Sequence, residues 1–177
     1  MSTQGRLFAR YLDNLPAGKL EWIGVRPARK VPMNILEETM AIEGLGLAGD
    51  WRCEGSRGSA RQATIISVEY IDIITRLLKK TPSKQYPPKQ YGIDPAILRR
   101  NLVVSGINLT ALRHQRFQIG DAIFEATALC HPCSRMEKAL GQHGVAAMLG
   151  HGGLCAKIIR GGKIKVGGDV VHLGPVE

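Results

Sequence analysis

The residues best suited to chemistry lie in Cys130-His131-Pro132-Cys133-Ser134-Arg135-Met136-Glu137, where two thiols precede a helix start encoded in the sequence. Ser134 and Glu137 read as an S-x-x-E capping box, in which the hydroxyl and the carboxylate satisfy free amides of the first turn. The helix is predicted over Arg135 to Leu140, ending at Gly141. A thiol at Cys133 would feel the positive end of that helix, and Arg135 and His131 add to the effect; all three favour thiolate over thiol. A thiolate attacks electrophilic sulfur or carbon, carries a persulfide, or binds a soft metal such as molybdenum or zinc. The plain alternative is a buried pair of small hydrophobes.

Other chemistries are less well served. Cys130, Cys133, His143, His151 and Cys155 supply enough ligands for zinc, but their irregular gaps match no common finger. A thioredoxin-like reading of Cys-x-x-Cys fails for want of a preceding βαβ unit and of a proline between Pro132 and Pro175 to face a disulfide. Gly44-Leu45-Gly46-Leu47-Ala48-Gly49 fits the dinucleotide fingerprint G-x-G-x-x-G, yet loop chemistry follows it instead of a helix. It reads better as a tight turn that positions Asp50 and Arg52.

Elements that must position these residues follow from pattern. Leu20 to Arg26 alternates like an opening strand, and Ala63 to Ile66 and Leu102 to Ser105 are short apolar strands. Ser67 caps an amphipathic helix with Ile71, Ile74, Leu77 and Leu78 on one face and Lys79-Lys80 at its end. Thr81 to Tyr91 is a polar, Pro-rich loop, and Asp94-Pro95 opens a short helix to about Arg100. Two hairpins are predicted beyond: Arg116 to Ile119 with Ala122 to Thr127, and Ala156 to Ile159 with Lys163 to Val166, before a strand at Val170 to Leu173. Short strands with Gly turns favour closure, which removes edges. The expected fold is mainly β (α+β), a closed or nearly closed β-barrel with a few short peripheral helices, over residues 20–177 after an extension at 1–19.

The 177 residues carry a formal charge of +9, with 44% hydrophobic content, 21 Gly and 9 Pro, which reads as one globular domain with an anionic partner. Basic residues come in short pairs and aromatics are 5%, so nucleic acid is an unlikely partner. No apolar run is long enough for a membrane helix, and the start lacks the apolar core of a signal peptide, so a cytoplasmic location is expected without membrane attachment.

Four segments, taken in order, resemble the MOSC domain, the module at the C-terminus of molybdenum cofactor sulfurases and in mitochondrial amidoxime reducing components. They are Trp22-Ile23-Gly24-Val25-Arg26-Pro27 with Val31-Pro32-Met33; Gly44 to Asp50 with Arg61-Gln62-Ala63-Thr64; Leu98 to Gly106; and Pro132-Cys133 followed by Gly152-Gly153. The likeness spans about residues 20 to 173. It implies a β-rich barrel and a site for an anionic molybdenum-pterin cofactor or for sulfur transfer, with Cys133 as catalytic group and as metal ligand or persulfide carrier. The resemblance further implies that Arg99, Asn101, Arg61, Gly152 and Gly153 bind the cofactor, and Cys130 is a candidate resolving thiol. Arg100 stands where many members have proline, His151 where arginine is common, and Trp51 where arginine is frequent. The chain is too short to hold a pyridoxal-phosphate domain as well, so that cofactor would sit on a partner cysteine desulfurase; an electron-donor protein is the alternative partner, for reduction of N-hydroxylated substrates.

Overall fold

A computed structural model describes residues 11–55, 57–79 and 92–176. The Pro-rich loop expected at 81–91 lies outside the described residues, as do Lys80 and most of the extension. The strands are β1 (Gly18–Val25), β2 (Asn34–Leu36), β3 (Glu38–Ile42), β4 (Gly46–Leu47), β5 (Ala63–Ser67), β6 (Leu102–Ser105), β7 (Gln115–Ile119), β8 (Ala122–Leu129), β9 (Leu154–Arg160), β10 (Gly162–Lys165) and β11 (Asp169–Pro175). The helices are α1 (Val68–Leu77), α2 (Pro95–Leu98), α3 (Ser134–Leu140) and α4 (Gly144–Met148), with a 3-10 turn at Trp51–Glu54.

Seven strands close a mixed barrel in the order β1-β6-β5-β9-β8-β7-β11, and β11 returns to β1 through Gly18↔Val170 and Lys19↔Asp169. Only β5 and β6 run parallel in that ring. A parallel pair needs a long crossover, and the connection carrying α1 and α2 supplies it. Inside, strand alternation sends Phe117, Ile119, Ala122, Phe124 and Ala126 inward from β7 and β8. The Phe117 and Phe124 rings stack with centroids 5.5 Å apart. Every residue of β5 is buried, because its outer face is covered in turn. Ile66 joins Trp22, Ile71, Ile74, Leu98, Met136, Leu140 and Met148 in a second core beneath the helices.

Local sequence signals hold where they are local. Ser67 accepts from Tyr70 N–H at 3.1 Å and caps α1, while Asp94 accepts from Ala96 N–H at 2.9 Å ahead of Pro95. Leu77, expected on the buried face of α1, is 59% exposed. Thr75 is buried instead, because its hydroxyl donates back to the Ile71 carbonyl at 2.7 Å and no polar group is left open.

The second predicted hairpin does not form. β10 pairs with β3, through Gly162↔Ala41 and Ile164↔Thr39, and extends a three-stranded sheet β10-β3-β4. β9 is already occupied by β8 on one edge and β5 on the other. Past β5, its groups at Ile158 are taken by Gly44 N–H and the Gln62 side chain. The Gly161-Gly162 step therefore turns the chain onto the next sheet.

Gly153 fixes the closest backbone approach around the barrel. Its φ is +85°, and a Cβ there would stand 1.9 Å from the Ile65 carbonyl oxygen of β5. Alanine would bring both a left-handed strain and a clash with backbone that cannot rotate away. Gly153→Ala is expected to destabilise the protein by about 3 kcal/mol or more in urea unfolding; a midpoint equal to that of the unaltered protein would refute this account of the β5 contact.

Candidate active site

At one end of the barrel the turn after β1, the 3-10 turn, the end of α2 and the start of α3 surround a cavity of about 300 Å³. Eight cationic side chains line it: Arg26, Arg29, Lys30, Arg52, Arg61, Arg99, Arg100 and Arg135. Leu98, Met136, Trp51, His131 and Cys133 complete the wall, and among the described residues the lining contains no carboxylate. Trp51 has the Arg29 and Arg52 guanidinium carbons 5.8 and 5.4 Å from its ring centroid, so its face gives the cations a partial partner. Two lining residues, Lys30 and Arg99, hold φ near +66° and +54°, an uncommon conformation for a side-chain-bearing residue.

Below the cavity one buried network holds these charges in place. Asp50, 2% exposed, accepts from Arg26 Nε at 2.9 Å, Arg26 N–H at 3.1 Å, Asn101 Nδ2 at 2.8 Å and Arg52 N–H at 3.1 Å. Burial pushes the Asp50 carboxyl up, but the Arg26 hydrogen bond and charge and the two backbone amides outweigh it and leave the group below its ordinary range. Asn101, 1% exposed, accepts on Oδ1 from Arg26 Nη2, Thr64 N–H and Thr64 Oγ1, and donates to the Gly24 carbonyl. Arg100 donates to the carbonyls of Gly152, Leu98 and Cys130 at 2.8, 2.9 and 3.2 Å. Arg99 keeps one contact, Nη1 to the Val31 carbonyl at 2.7 Å.

The guanidinium groups crowd one another. Burial first, then the charges of Arg26 and Arg61, hold Arg52 below its ordinary range; burial, Arg26 and Arg135 do the same for Arg99. Both remain cations at any physiological pH. Arg52 Nε is buried without a hydrogen-bond partner. An anion in the cavity would relieve the repulsion among these cations.

Cys133 opens onto this cavity and is the exposed member of the four cysteines. It occupies the N-cap position of α3 without a side-chain cap bond, and Ser134 is already helical. The predicted capping box is therefore not made. Glu137 turns the other way and accepts from His143 N–H at 2.7 Å and Val145 N–H at 2.8 Å, tying the start of α4 to α3.

The MOSC domain family model matches residues 53–171. This chain belongs to the MOSC domain family. Among solved structures, YuaD from Bacillus subtilis is similar with a TM-score of 0.72 and 21% identity, over 92% of this chain and 98% of that one. YiiM from Escherichia coli is similar with a TM-score of 0.64 and 18% identity, over 90% of this chain and 71% of that one. YiiM from Geobacillus stearothermophilus has a TM-score of 0.64 and 12% identity, over 88% and 75%. At these identities the likeness establishes the shared fold. No curated protein sequence matches the chain.

Of the residues named from the sequence of this MOSC protein, Cys133, Arg99 and Arg61 meet at the cavity. Asn101 does not reach it; its side chain is spent on the buried network that holds Arg26. Gly152 and Gly153 are also buried, away from the cavity wall. A Cβ on Gly152 would stand 2.1 Å from the Cys130 carbonyl oxygen, so this pair serves close packing. Among the described residues no group of three or more His, Cys, Asp or Glu could hold a metal, and none of the helices is long and apolar enough to cross a membrane.

Cys130 is 1% exposed beneath the cavity, where its sulfur accepts from Arg61 Nη2 at 3.3 Å. The neighbouring Cys155 thiol, opposed by burial and aided by Arg100, Arg61 and Arg26, lowers the Cys130 thiol to about 6. The same contact and burial push Cys155 up. Sequence reasoning named Arg135 as a charge beside Cys133 and Cys155 only among possible zinc ligands, and it assigned none of Arg26, Arg29 and Arg100 to the site. The signal was present in Arg26 and Asp50, which fall inside the family-like segments, but their pairing across 24 positions is a tertiary fact.

Two outcomes follow. Asn101→Ala leaves Asp50, Arg26 and Thr64 short of partners and is expected to lose about 3 kcal/mol of stability. Arg99→Ala is expected to leave the melting temperature almost unchanged while weakening phosphate or molybdate binding roughly 10-fold. Equal stability losses in the two variants would overturn the division between support and ligand contact. The thiol pair adds a pH signature. From about pH 6 upward the folded pair has released a proton that the unfolded chain keeps until near the ordinary thiol value of 9.0, so stability from the pair rises across that window. Above it the unfolded chain releases both protons while folded Cys155 retains one, and the contribution falls again. The urea midpoint of the unaltered protein relative to Cys130→Ser is expected to increase from pH 6 toward 9; a pH-independent difference would show that Cys130 is an ordinary thiol.

Proposed function

We propose that this MOSC protein binds an anionic molybdenum-pterin cofactor in the arginine-lined cavity and uses it as an oxidoreductase. The observation that carries the reading is the coincidence, among the described residues, of an exposed thiol, Cys133, with eight cations and no carboxylate around one cavity. The donor set fits such a group. A thiolate is a soft ligand suited to molybdenum, and guanidinium forks suit phosphate and other oxyanions. The unsatisfied Arg52 Nε is a donor still lacking its acceptor. Concavity also argues for a small anion over nucleic acid, since the cations converge on a pocket of about 300 Å³ and do not form an open stripe.

In this reading Cys133 ligates the metal, and Arg99, Arg61, Arg52 and Arg26 hold the anionic end of the cofactor. When bound, the group supplies a redox centre that the side chains lack. Leu98 and Met136 present the apolar part of the wall and limit water there, and Trp51 gives a flat face beside the cations. An electron-donor protein supplies the electrons, and N-hydroxylated compounds are the substrate class that the family resemblance suggests.

The exposure of Cys133 supports a second reading, in which it accepts sulfane sulfur as a persulfide from a cysteine desulfurase that carries its own pyridoxal phosphate. One experiment separates the two. For the oxidoreductase, anaerobically purified protein contains molybdenum and pterin, and Cys133→Ser loses both while keeping its urea midpoint. For the carrier, incubation with a desulfurase and cysteine adds about 32 Da to Cys133 in protein free of molybdenum. Molybdenum retained in full by Cys133→Ser would remove the cysteine from the cofactor site.

A further inference from the structure

A second pair of thiols lies outside the cavity wall. In the ladder of β8 and β9, Ala128 faces Cys155 and Leu129 faces Leu154. Cys130 extends it, with its N–H donating to the Gly153 carbonyl at 2.8 Å. Side chains two positions apart share a face, so Cys130 is the diagonal neighbour of Cys155 on one side of the sheet. Each thiol accordingly shifts the titration of the other, Cys130 downward and Cys155 upward. Both cysteines are buried, at 1% and 6% exposure, whereas Cys133 is exposed at the cavity. Arg61 connects the two places, because its guanidinium lines the cavity and donates to the Cys130 sulfur at 3.3 Å.

We propose that Cys130 and Cys155 form a dithiol centre that small peroxides oxidise to a disulfide, and that this oxidation strengthens anion binding in the neighbouring cavity through Arg61. The resolving partner of Cys130 is then Cys155, not Cys133. Burial restricts access to small reagents: Cys130 is 1% exposed, and the cavity of about 10 Å³ that borders its segment, lined also by His131, Gly150 and Gly152, is on the scale of one water molecule. The Cys130 thiolate attacks one peroxide oxygen, the O–O bond breaks, and hydroxide leaves, giving a sulfenic acid. The Cys155 sulfur then displaces the sulfenic hydroxyl, forming S–S, and its proton leaves with that oxygen as water. The two electrons lost by sulfur are those gained by the peroxide.

The charge change gives the coupling its sign. In the reduced pair the Arg61 hydrogen bond to the Cys130 sulfur favours its thiolate, and that anion under the cavity offsets part of the Arg61 charge. A disulfide is neutral and a poor acceptor, so Arg61 turns its full charge to the anion. Removing one nearby negative charge from a partly screened site tightens anion binding by roughly 3- to 10-fold.

The test uses purified protein and needs no molybdenum, so its result and that of the cofactor reading can differ. The protein and its Cys133→Ser variant are treated with hydrogen peroxide, alkylated and mapped by mass spectrometry; inorganic pyrophosphate binding is measured by calorimetry before and after. A linked Cys130–Cys155 peptide is expected in both proteins, with tighter pyrophosphate binding once oxidised. Cys155→Ser should yield no link and a dimedone-reactive sulfenic acid on Cys130. A Cys130–Cys133 link, or no disulfide at Cys130 in Cys133→Ser, overturns the thiol assignment. A disulfide that leaves pyrophosphate affinity unchanged or weaker overturns the coupling through Arg61.

Discussion

The buried carboxylate of Asp50 is the charge on which the site is assembled. Eight cations around a cavity of about 300 Å³ oppose their own gathering. Two guanidinium groups ~8 Å apart at the effective dielectric of a partly buried site repel by about 2 kcal/mol. Asp50 offsets part of that, and it does so from a fixed position, because four donors hold its two oxygens. Isolated from them it would be an expensive buried anion. Inside the set it orients Arg26 and starts the 3-10 turn that brings Arg52 to the cavity. Asn101 then ties this cluster to β5 and β1 through Thr64 and Gly24.

A second constraint comes from the glycines that let β5, β9 and the Cys130 segment approach. Gly153 passes under the Ile65 carbonyl, and Gly152 passes under the Cys130 carbonyl. The carbonyls of Gly152 and Cys130, brought together there, are acceptors for Arg100, the most deeply held of the cavity cations. Burial, the largest effect on Arg100, opposes its charge, with the nearby Cys130 sulfur working the other way. The same narrow passage thus sets the barrel closure, the arginine and the thiol.

Features that depend on neighbours in the chain were legible in the sequence. Ser67 and Asp94 cap their helices as their spacing implies, and the β7–β8 hairpin follows from a Gly120-Asp121 turn between alternating strands. What was not legible depended on competition between distant groups. The β9–β10 hairpin has good turn chemistry, but β9 has no free edge to offer. Ser134 and Glu137 have capping-box spacing, yet the start of α4 presents two free amides to Glu137. The cavity itself could not be read by spacing, since Arg26, Arg52, Arg61, Arg99 and Arg135 come from five separate segments. The thiol motif pointed to Cys133 and the family resemblance to Arg61 and Arg99, all three of which line the cavity, whereas Asn101 lies in the buried network below it.

The two cysteines of Cys130-His131-Pro132-Cys133 show why a motif does not fix a role by itself. Cys133 was expected to draw reactivity from the helix terminus, and Cys130 to act as its resolving thiol. The structure gives each sulfur a different environment: Cys133 is exposed beside the cations, whereas Cys130 is sealed below them, next to Cys155 on the ladder and hydrogen-bonded by Arg61. An exposed sulfur can meet a bulky cofactor or a partner protein. A buried one polarised by two arginines and a thiol can meet only small reagents, and any change in its charge is felt by the arginine that it holds. Pro132 and His131 therefore separate a ligand-facing sulfur from a charge-setting one, and Arg61 is the side chain through which the second can act on the surroundings of the first.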